Sequence, residues 1–237
     1  MPLTEKTQLL SALDRDMPDN SKNPGNPKNL DNPENPDMTE SPALPEDLGL
    51  PAKPQPEGNR KLQSGNLILV GMMGSGKTTM GRVLAKHFGK AFVDSDEEIQ
   101  RRTGVTIPHI FDVEGEAGFR QRESAAIGDL AGRDNMVLAT GGGAVLMEQN
   151  RAMLHQSGIV IYLKANVHYL WQRTRHDRNR PLLQTGDPYA KLTELFQQRD
   201  PLYMQVADIV IHSGKQSAHA LMLQLVGEIE TFRKNNS

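Results

Sequence analysis

Between Gly71 and Thr78 the chain reads GMMGSGKT, which satisfies the spacing G-x-x-x-x-G-K-S/T. Glycines in such a turn let successive backbone N–H groups converge on one anion, and a helix starting there adds the positive end of its dipole. Lys77 can then reach the β- and γ-phosphates of a nucleotide, while the Thr78 hydroxyl can ligate Mg²⁺. The flanks agree, with the apolar run NLILVG before the turn and helical periodicity after it. A nucleoside triphosphate site is therefore expected in place of an ordinary glycine-rich turn, with Gly74, Ser75, Gly76, Lys77, Thr78 and Thr79 at the phosphates. Met72 and Met73 leave the base and the phosphoryl acceptor undefined.

Carboxylates are expected where the next strand ends, because ligands of open parallel sheets bind beyond the carboxyl ends of the strands. The run AFVDSDEEI supplies Asp94 and Asp96 there. One of them can face Mg²⁺ or its water shell and the other an acceptor hydroxyl. Asp94 or Ser95 is equally suited to capping the helix that begins DEEIQRR.

Several later features suit a small anionic acceptor. In FRQRE, Arg120 and Glu123 lie three apart on one helix face, where the arginine fork matches a carboxylate and the glutamate can hold that fork. A solvated surface pair has the same pattern. Gly141, Gly142 and Gly143 in TGGGAV remove side chains at the sheet's carboxyl edge, either for close approach to a ligand or for a tight turn. Arg173, Arg175, Arg178 and Arg180 fall in one turn-rich basic segment before Pro181, which suits a lid over phosphates as well as a solvated loop. Arg199, in QQRDPLY, precedes a proline break.

These groups need a frame. NLILVG, AFVDS, MVLAT, GIVIYL and ADIVIH read as strands rich in Val, Ile and Leu, without polar alternation, as expected for strands covered on both faces. Helical spacing separates them, with Met80, Val83, Leu84, His87 and Phe88 on one face of the first helix. Alternating strands and helices predict parallel units wound right-handedly into a three-layer α/β/α domain over residues 65–237. Residues 1–64 are expected to form a disordered extension. Its Pro, Asn, Asp and Gly content, with the near-repeat NPGNPKNLDNPENPD, cannot bury enough apolar surface to offset ordering entropy.

The 237 residues carry a formal charge of −2, which offers no global attraction to nucleic acid or an anionic membrane. With no cysteine, disulfides and thiolate chemistry are excluded. Apolar runs are too short to cross a bilayer, and the amino terminus lacks the apolar core of a secretory signal, so a cytoplasmic location is expected.

Taken in order and spacing, GMMGSGKTT, VDSD, FRQRE, ATGGGAV, RNRPLL and RDPLY resemble the bacterial shikimate kinase family over about residues 66–232. The resemblance implies a nucleoside-monophosphate-kinase-like fold with a five-stranded parallel sheet of order 2-3-1-4-5 and a lid over about residues 172–188. It also implies ATP-dependent phosphorylation of the shikimate 3-hydroxyl by a monomer, with Mg²⁺. By position, Asp96, Arg120, Gly142 and Arg199 would bind shikimate, with Gly141 and Gly143 beside them, and Glu123 would orient Arg120. Lys77, Thr78 and Asp94 would serve the phosphates and metal, Arg180 the phosphates from the lid, and Arg173 the adenine. Asp96 could also accept the reacting proton. The segment IHSGKQSAHA departs from the aspartate, threonine and later proline that many relatives carry in the adenine loop, leaving Lys215 and Gln216 as its candidate contacts.

Overall fold

The computed structural model describes residues 65–177 and 180–236. The expected extension over residues 1–64 lies outside them, as does Arg178 of the basic segment.

Among the described residues, five strands alternate with seven α-helices: β1 (Leu67–Val70), α1 (Lys77–Phe88), β2 (Ala91–Asp94), α2 (Ser95–Thr103), α3 (Ile107–Ala131), β3 (Met136–Ala139), α4 (Glu148–Ser157), β4 (Ile159–Lys164), α5 (Val167–Thr174), α6 (Pro188–Val206), β5 (Ile209–His212) and α7 (Ala218–Asn236). The strands form one parallel sheet in the order β2-β3-β1-β4-β5, as the resemblance implied. Leu67 sits between Val137 and Ile159, which fixes the register of the three central strands.

Because side chains alternate along a strand, each central strand feeds both covering layers. Ile68, Val70, Leu138, Val160 and Tyr162 join Ile127 of α3, Leu154 of α4, and Leu192 and Tyr203 of α6 on one face. Leu67, Leu69, Val137, Ile161 and Leu163 join Met80 and Leu84 of α1 and Leu225 and Ile229 of α7 on the other. Each such aliphatic side chain stabilises the fold by about 1.5–3 kcal/mol relative to exposure. The edge strands are the exception to the expected double coverage: β2 is only partly buried and β5 leaves His212 exposed.

Asn66 fastens the sheet's lower edge. Its amide donates to the carbonyls of Arg133 (2.6 Å) and Ser157 (3.1 Å), and its oxygen accepts the Met136 N–H at 3.0 Å. One side chain thus ties the entries of β3 and β4 to β1.

Three local expectations shift. The buried stripe of α1 runs through Met80, Gly81, Leu84 and Ala85, with Val83, His87 and Phe88 on its margin. Arg173 lies in the last turn of α5 and not in a turn-rich segment. Pro201 does not break its helix, since α6 continues to Val206. The proline forfeits one backbone hydrogen bond, while burial of Leu195, Arg199, Tyr203 and Val206 keeps both halves on the sheet.

Candidate active site

A cavity of about 720 Å³ opens at the carboxyl end of the sheet. Its wall includes Thr78, Asp94, Asp96, Arg120, Glu123, the three glycines from Gly141 to Gly143, Arg180 and Arg199, so most of the expected site residues meet in one place.

On the phosphate side, the loop after β1 can turn only because side chains are missing. Gly71 has φ 142°, and a Cβ there would stand 2.7 Å from the Leu163 carbonyl oxygen. Gly74 has φ 78°, and its Cβ would stand 2.7 Å from Thr174 Cγ2. Lys77 folds back over this loop, its Nζ donating to the carbonyls of Gly71 (2.7 Å) and Met72 (2.9 Å). Burial lowers its pKa to about 8, against the opposing pull of Asp96. The Thr78 hydroxyl donates to Asp94 Oδ2 at 2.8 Å, while Asp94 Oδ1 accepts the Asp96 N–H at 3.0 Å and caps α2. Asp94 therefore performs the capping role while facing Thr78.

Asp96 has a different environment. Its Oδ1 is enclosed without a hydrogen-bond partner. Burial, then the negative charges of Asp94 and Glu123, raise its pKa to about 7, with Lys77 and Arg180 opposing.

Across the cavity, α3 carries Arg120. The helix is broken at Gly115 (φ 68°, ψ −175°), so Glu116 begins its second segment. Arg120 is buried and donates from Nη1 to Glu123 at 2.7 Å, and from Nη2 and Nε to Glu116 at 2.8 and 3.2 Å. Glu123 is fully buried, which pushes its pKa up, while Arg120 pulls it back. The surface-pair reading of Arg120 and Glu123 therefore fails. The Arg120 guanidinium also lies over the Phe119 ring, 5.2 Å from the centroid.

The triglycine turn is explained by crowding. A Cβ on Gly141 would lie 2.6 Å from both Asp96 Oδ1 and Glu123 Oε1, and one on Gly143 would overlap the Arg120 guanidinium. A Cβ on Gly142 would make only ordinary contacts, including Arg199 Nη1 at 3.6 Å. Ser95 Oγ accepts the Gly141 N–H at 2.8 Å, and the Tyr203 hydroxyl donates to the Gly142 carbonyl. Arg199 is almost wholly buried, and its Nε has no partner. Together with Asp96 Oδ1 and Glu123 Oε1 it makes three such atoms on residues that line the cavity. Each would cost about 1–3 kcal/mol if it stayed unmet, so the arrangement suits a polar ligand.

Arg180 pairs with Asp177 at 2.8 Å on the cavity's rim. Arg173 bridges the phosphate loop and the loop after β5, donating to the carbonyls of Gly74 (3.1 Å) and Gly214 (3.3 Å). Lys215 and Gln216 are exposed and do not line this cavity. The Gln216 amide donates to the His212 carbonyl at 3.1 Å. Among the described residues, no group of three or more His, Asp or Glu could hold a metal alone. Mg²⁺ needs no such cage when phosphates supply most of its ligands, and the oxygens of Thr78 and Asp94 fit that mode. Glu116, Ser95 and Tyr203 were not expected. Glu116 and Tyr203 stand at helical spacing from Arg120 and Arg199, a legible signal, whereas the sequence marks Ser95 only as a helix cap and it instead accepts the Gly141 N–H.

Comparison with known proteins gives concordant results. The family model for shikimate kinase matches residues 73–230. A shikimate kinase of Nitrosospira multiformis is 57% identical over 173 residues, 73% of this chain and 89% of that protein. One from Nitrosomonas europaea is 59% identical over 172 residues, 73% of this chain and 80% of the relative. Among solved structures, shikimate kinase from Acinetobacter baumannii in complex with shikimate matches with a TM-score of 0.69 and 49% identity, covering 70% of this chain and 93% of that one.

Proposed function

The chain belongs to the shikimate kinase family, and we propose how its own residues divide the family's reaction between them. It transfers the γ-phosphoryl group of ATP to the 3-hydroxyl of shikimate, giving shikimate 3-phosphate and ADP. The observation that carries the division is the meeting of two chemically distinct sets in one cavity. The cavity wall carries Thr78, Asp94 and Arg180 together with Arg120, Arg199 and the triglycine turn, with Asp96 among them.

Backbone N–H groups from Gly74 to Thr79 hold the phosphates, and the Lys77 ammonium leaves its two carbonyl partners to meet the β- and γ-phosphates. Thr78 and Asp94 would hold Mg²⁺, which would supply charge neutralisation to the phosphates. Arg180 exchanges Asp177 for the phosphates as the segment over about residues 172–188 closes, excluding water that would otherwise compete as acceptor. Arg173 packs beside the adenine, with Lys215 and Gln216 in the exposed loop after β5 as its neighbours there.

Arg120 and Arg199 grip the acceptor's carboxylate, a planar group that matches the arginine fork. Glu123 keeps Arg120 aimed, and Gly141, Gly142 and Gly143 let the acceptor ring lie against backbone. The acceptor's 3-hydroxyl attacks the γ-phosphorus, its O–P bond forms as the β,γ-bridging bond breaks, and the proton passes to Asp96. A carboxyl that titrates near 7 is matched to that role. The transition state asks mainly for positioning and charge neutralisation, which most of these residues supply.

A monomer in the cytoplasm, acting on small molecules without nucleic acid or membrane, completes the reading; no helix among the described residues is long and apolar enough to cross a membrane. ADP release from Mg²⁺-ATP, measured with shikimate and in parallel with gluconate and nucleoside monophosphates, tests it. Saturable release with shikimate alone is expected. Release with gluconate or a nucleotide and none with shikimate would overturn the assignment.

A further inference from the structure

Tyr203 takes no part in the transfer chemistry set out above, although it is bonded to Gly142, which lines the cavity. It is completely buried. It lies four residues after Arg199 in α6, hence on the same helix face. Its hydroxyl donates to the Gly142 carbonyl and lies 3.7 Å from Met72 Sδ in the phosphate loop. The ring is itself fixed from behind, packed at 4.9 Å between centroids against Tyr162, whose hydroxyl donates to Asp200 at 2.6 Å. Lys164 closes that support with a 2.9 Å bond to the same carboxylate. Burial raises the phenol's pKa, so the hydroxyl remains a donor at every working pH.

The Gly142 carbonyl and the Gly143 N–H belong to one trans peptide and point in opposite directions. Tying the carbonyl to α6 therefore turns the Gly143 N–H away from α6. Glycines have the least resistance to rotation of a peptide plane; the Thr140–Gly141 peptide is already pinned by the Gly141 N–H on Ser95, and the next one by the Gly141 carbonyl, which accepts the Ala144 N–H at 3.2 Å. The Tyr203 bond removes the corresponding freedom one peptide further on.

We propose that Tyr203 is a positioning residue for the acceptor: by holding the Gly142 carbonyl it fixes the Gly142–Gly143 peptide plane beside Arg199 and so shapes the surface against which the acceptor ring rests. The proposal rests on the acceptor reading of Arg199 and Gly142 given above.

Tyr203→Phe in the full chain keeps the ring and its packing and removes the hydroxyl alone, and with it the bond to Gly142 and the contact with the Arg199 side chain. The Michaelis constant for shikimate should rise roughly two- to tenfold, the range for one neutral hydrogen bond, while the ATP dissociation constant measured by calorimetry stays the same. No change in either constant would overturn the proposal, and so would an equal weakening of both, which general loss of packing would produce. Arg199→Lys, run alongside, separates the two ideas. If it leaves the shikimate constant unchanged, the acceptor reading itself fails; if it weakens shikimate while Tyr203→Phe does not, only the role of Tyr203 falls.

Should the phenylalanine variant fail to fold, glycine-labelled native protein answers the same question by NMR. The Gly142 carbonyl carbon should keep a hydrogen-bonded shift, unchanged on adding shikimate. Movement to the value of a free carbonyl would overturn the proposal.

Discussion

Adding one methyl group at Gly143 tests the acceptor site more sharply than removing a charge would. Gly143 is not among the glycines with a left-handed φ, so alanine there brings no backbone strain. The new Cβ would instead overlap Nη1, Cζ and Nη2 of Arg120. Restoring ordinary contact at about 3.5 Å requires the guanidinium to retreat by roughly 1 Å or more. It cannot do so freely, since Glu123 holds Nη1 at 2.7 Å from a fully buried position and Glu116 holds Nη2 at 2.8 Å. The arginine must give up its aim, its bond to Glu123, or both. A charge-assisted bond contributes about 1.5–3 kcal/mol, equivalent to roughly ten- to a hundredfold in an equilibrium constant. The Michaelis constant for shikimate in Gly143→Ala should rise by that factor, measured by coupled ADP release, while ATP affinity by calorimetry stays within about twofold of the native value, the noise of an untouched site. Melting should shift by only a few degrees, because a flexible side chain and not backbone makes way. An unchanged shikimate constant would refute the reasoning, either because Arg120 does not meet the acceptor or because its seat is looser than the geometry states. A collapse of both affinities would equally refute it, by showing that the turn supports the fold and not the acceptor alone.

Three further outcomes follow from the same geometry. Lys77→Met should lower kcat by roughly 10²–10³, the cost of losing one preorganised charge in the transition state, and near-native turnover would contradict the phosphate cradle. Asp96→Asn should stabilise the free protein more at pH 8 than at pH 5. The Asp96 pKa rises from its ordinary 3.8 to about 7 on folding, so the native state binds the extra proton and stability falls as pH climbs through that window; melting curves with a pH-independent difference would count against it. Removing residues 1–60 should leave shikimate-dependent turnover and the melting midpoint nearly unchanged, since the family match begins at residue 73; a large fall in either would show that the extension packs on the domain.

How much of this was legible depended on whether the physics was local. All five strands could be read because each is a short aliphatic run whose alternate residues serve two covering layers. The phosphate loop could be read because its glycines are required by backbone geometry within eight residues. The order of the strands came from resemblance, since nothing in a single strand's composition says which neighbour it will pair with. Illegible features were those set by distant contacts. Composition could not distinguish a solvated Arg120–Glu123 pair from a buried one, because the burial depends on β3 delivering Gly143 against the guanidinium. Nor could Pro201 reveal that α6 would run through it, since the outcome turned on how much apolar surface the second half buries. The stripe of α1 lies slightly off its expected axis for a related reason: Gly81 belongs to the buried face, as its absent side chain makes room for Phe92, and glycine carries no apolar signal.

The placement of charge in the free site follows from one constraint and explains how a single cavity serves two anions. An enclosed cation must be paired, yet a cation meant for a substrate must also be releasable. Lys77 is held by two neutral carbonyls, Arg180 by Asp177 at the rim, and Arg120 by one enclosed and one half-exposed carboxylate. Neutral or solvent-reaching partners can be given up cheaply when a phosphate or carboxylate arrives, because water or a peptide dipole replaces what they lose. Glu123 alone is too deeply enclosed to be released, so it remains with Arg120 and aims it. On the proposed division of roles, the resting partners of Lys77, Arg180 and Arg120 separate the charges that would move during turnover from the Arg120–Glu123 pair, which would stay fixed beside the acceptor's carboxylate.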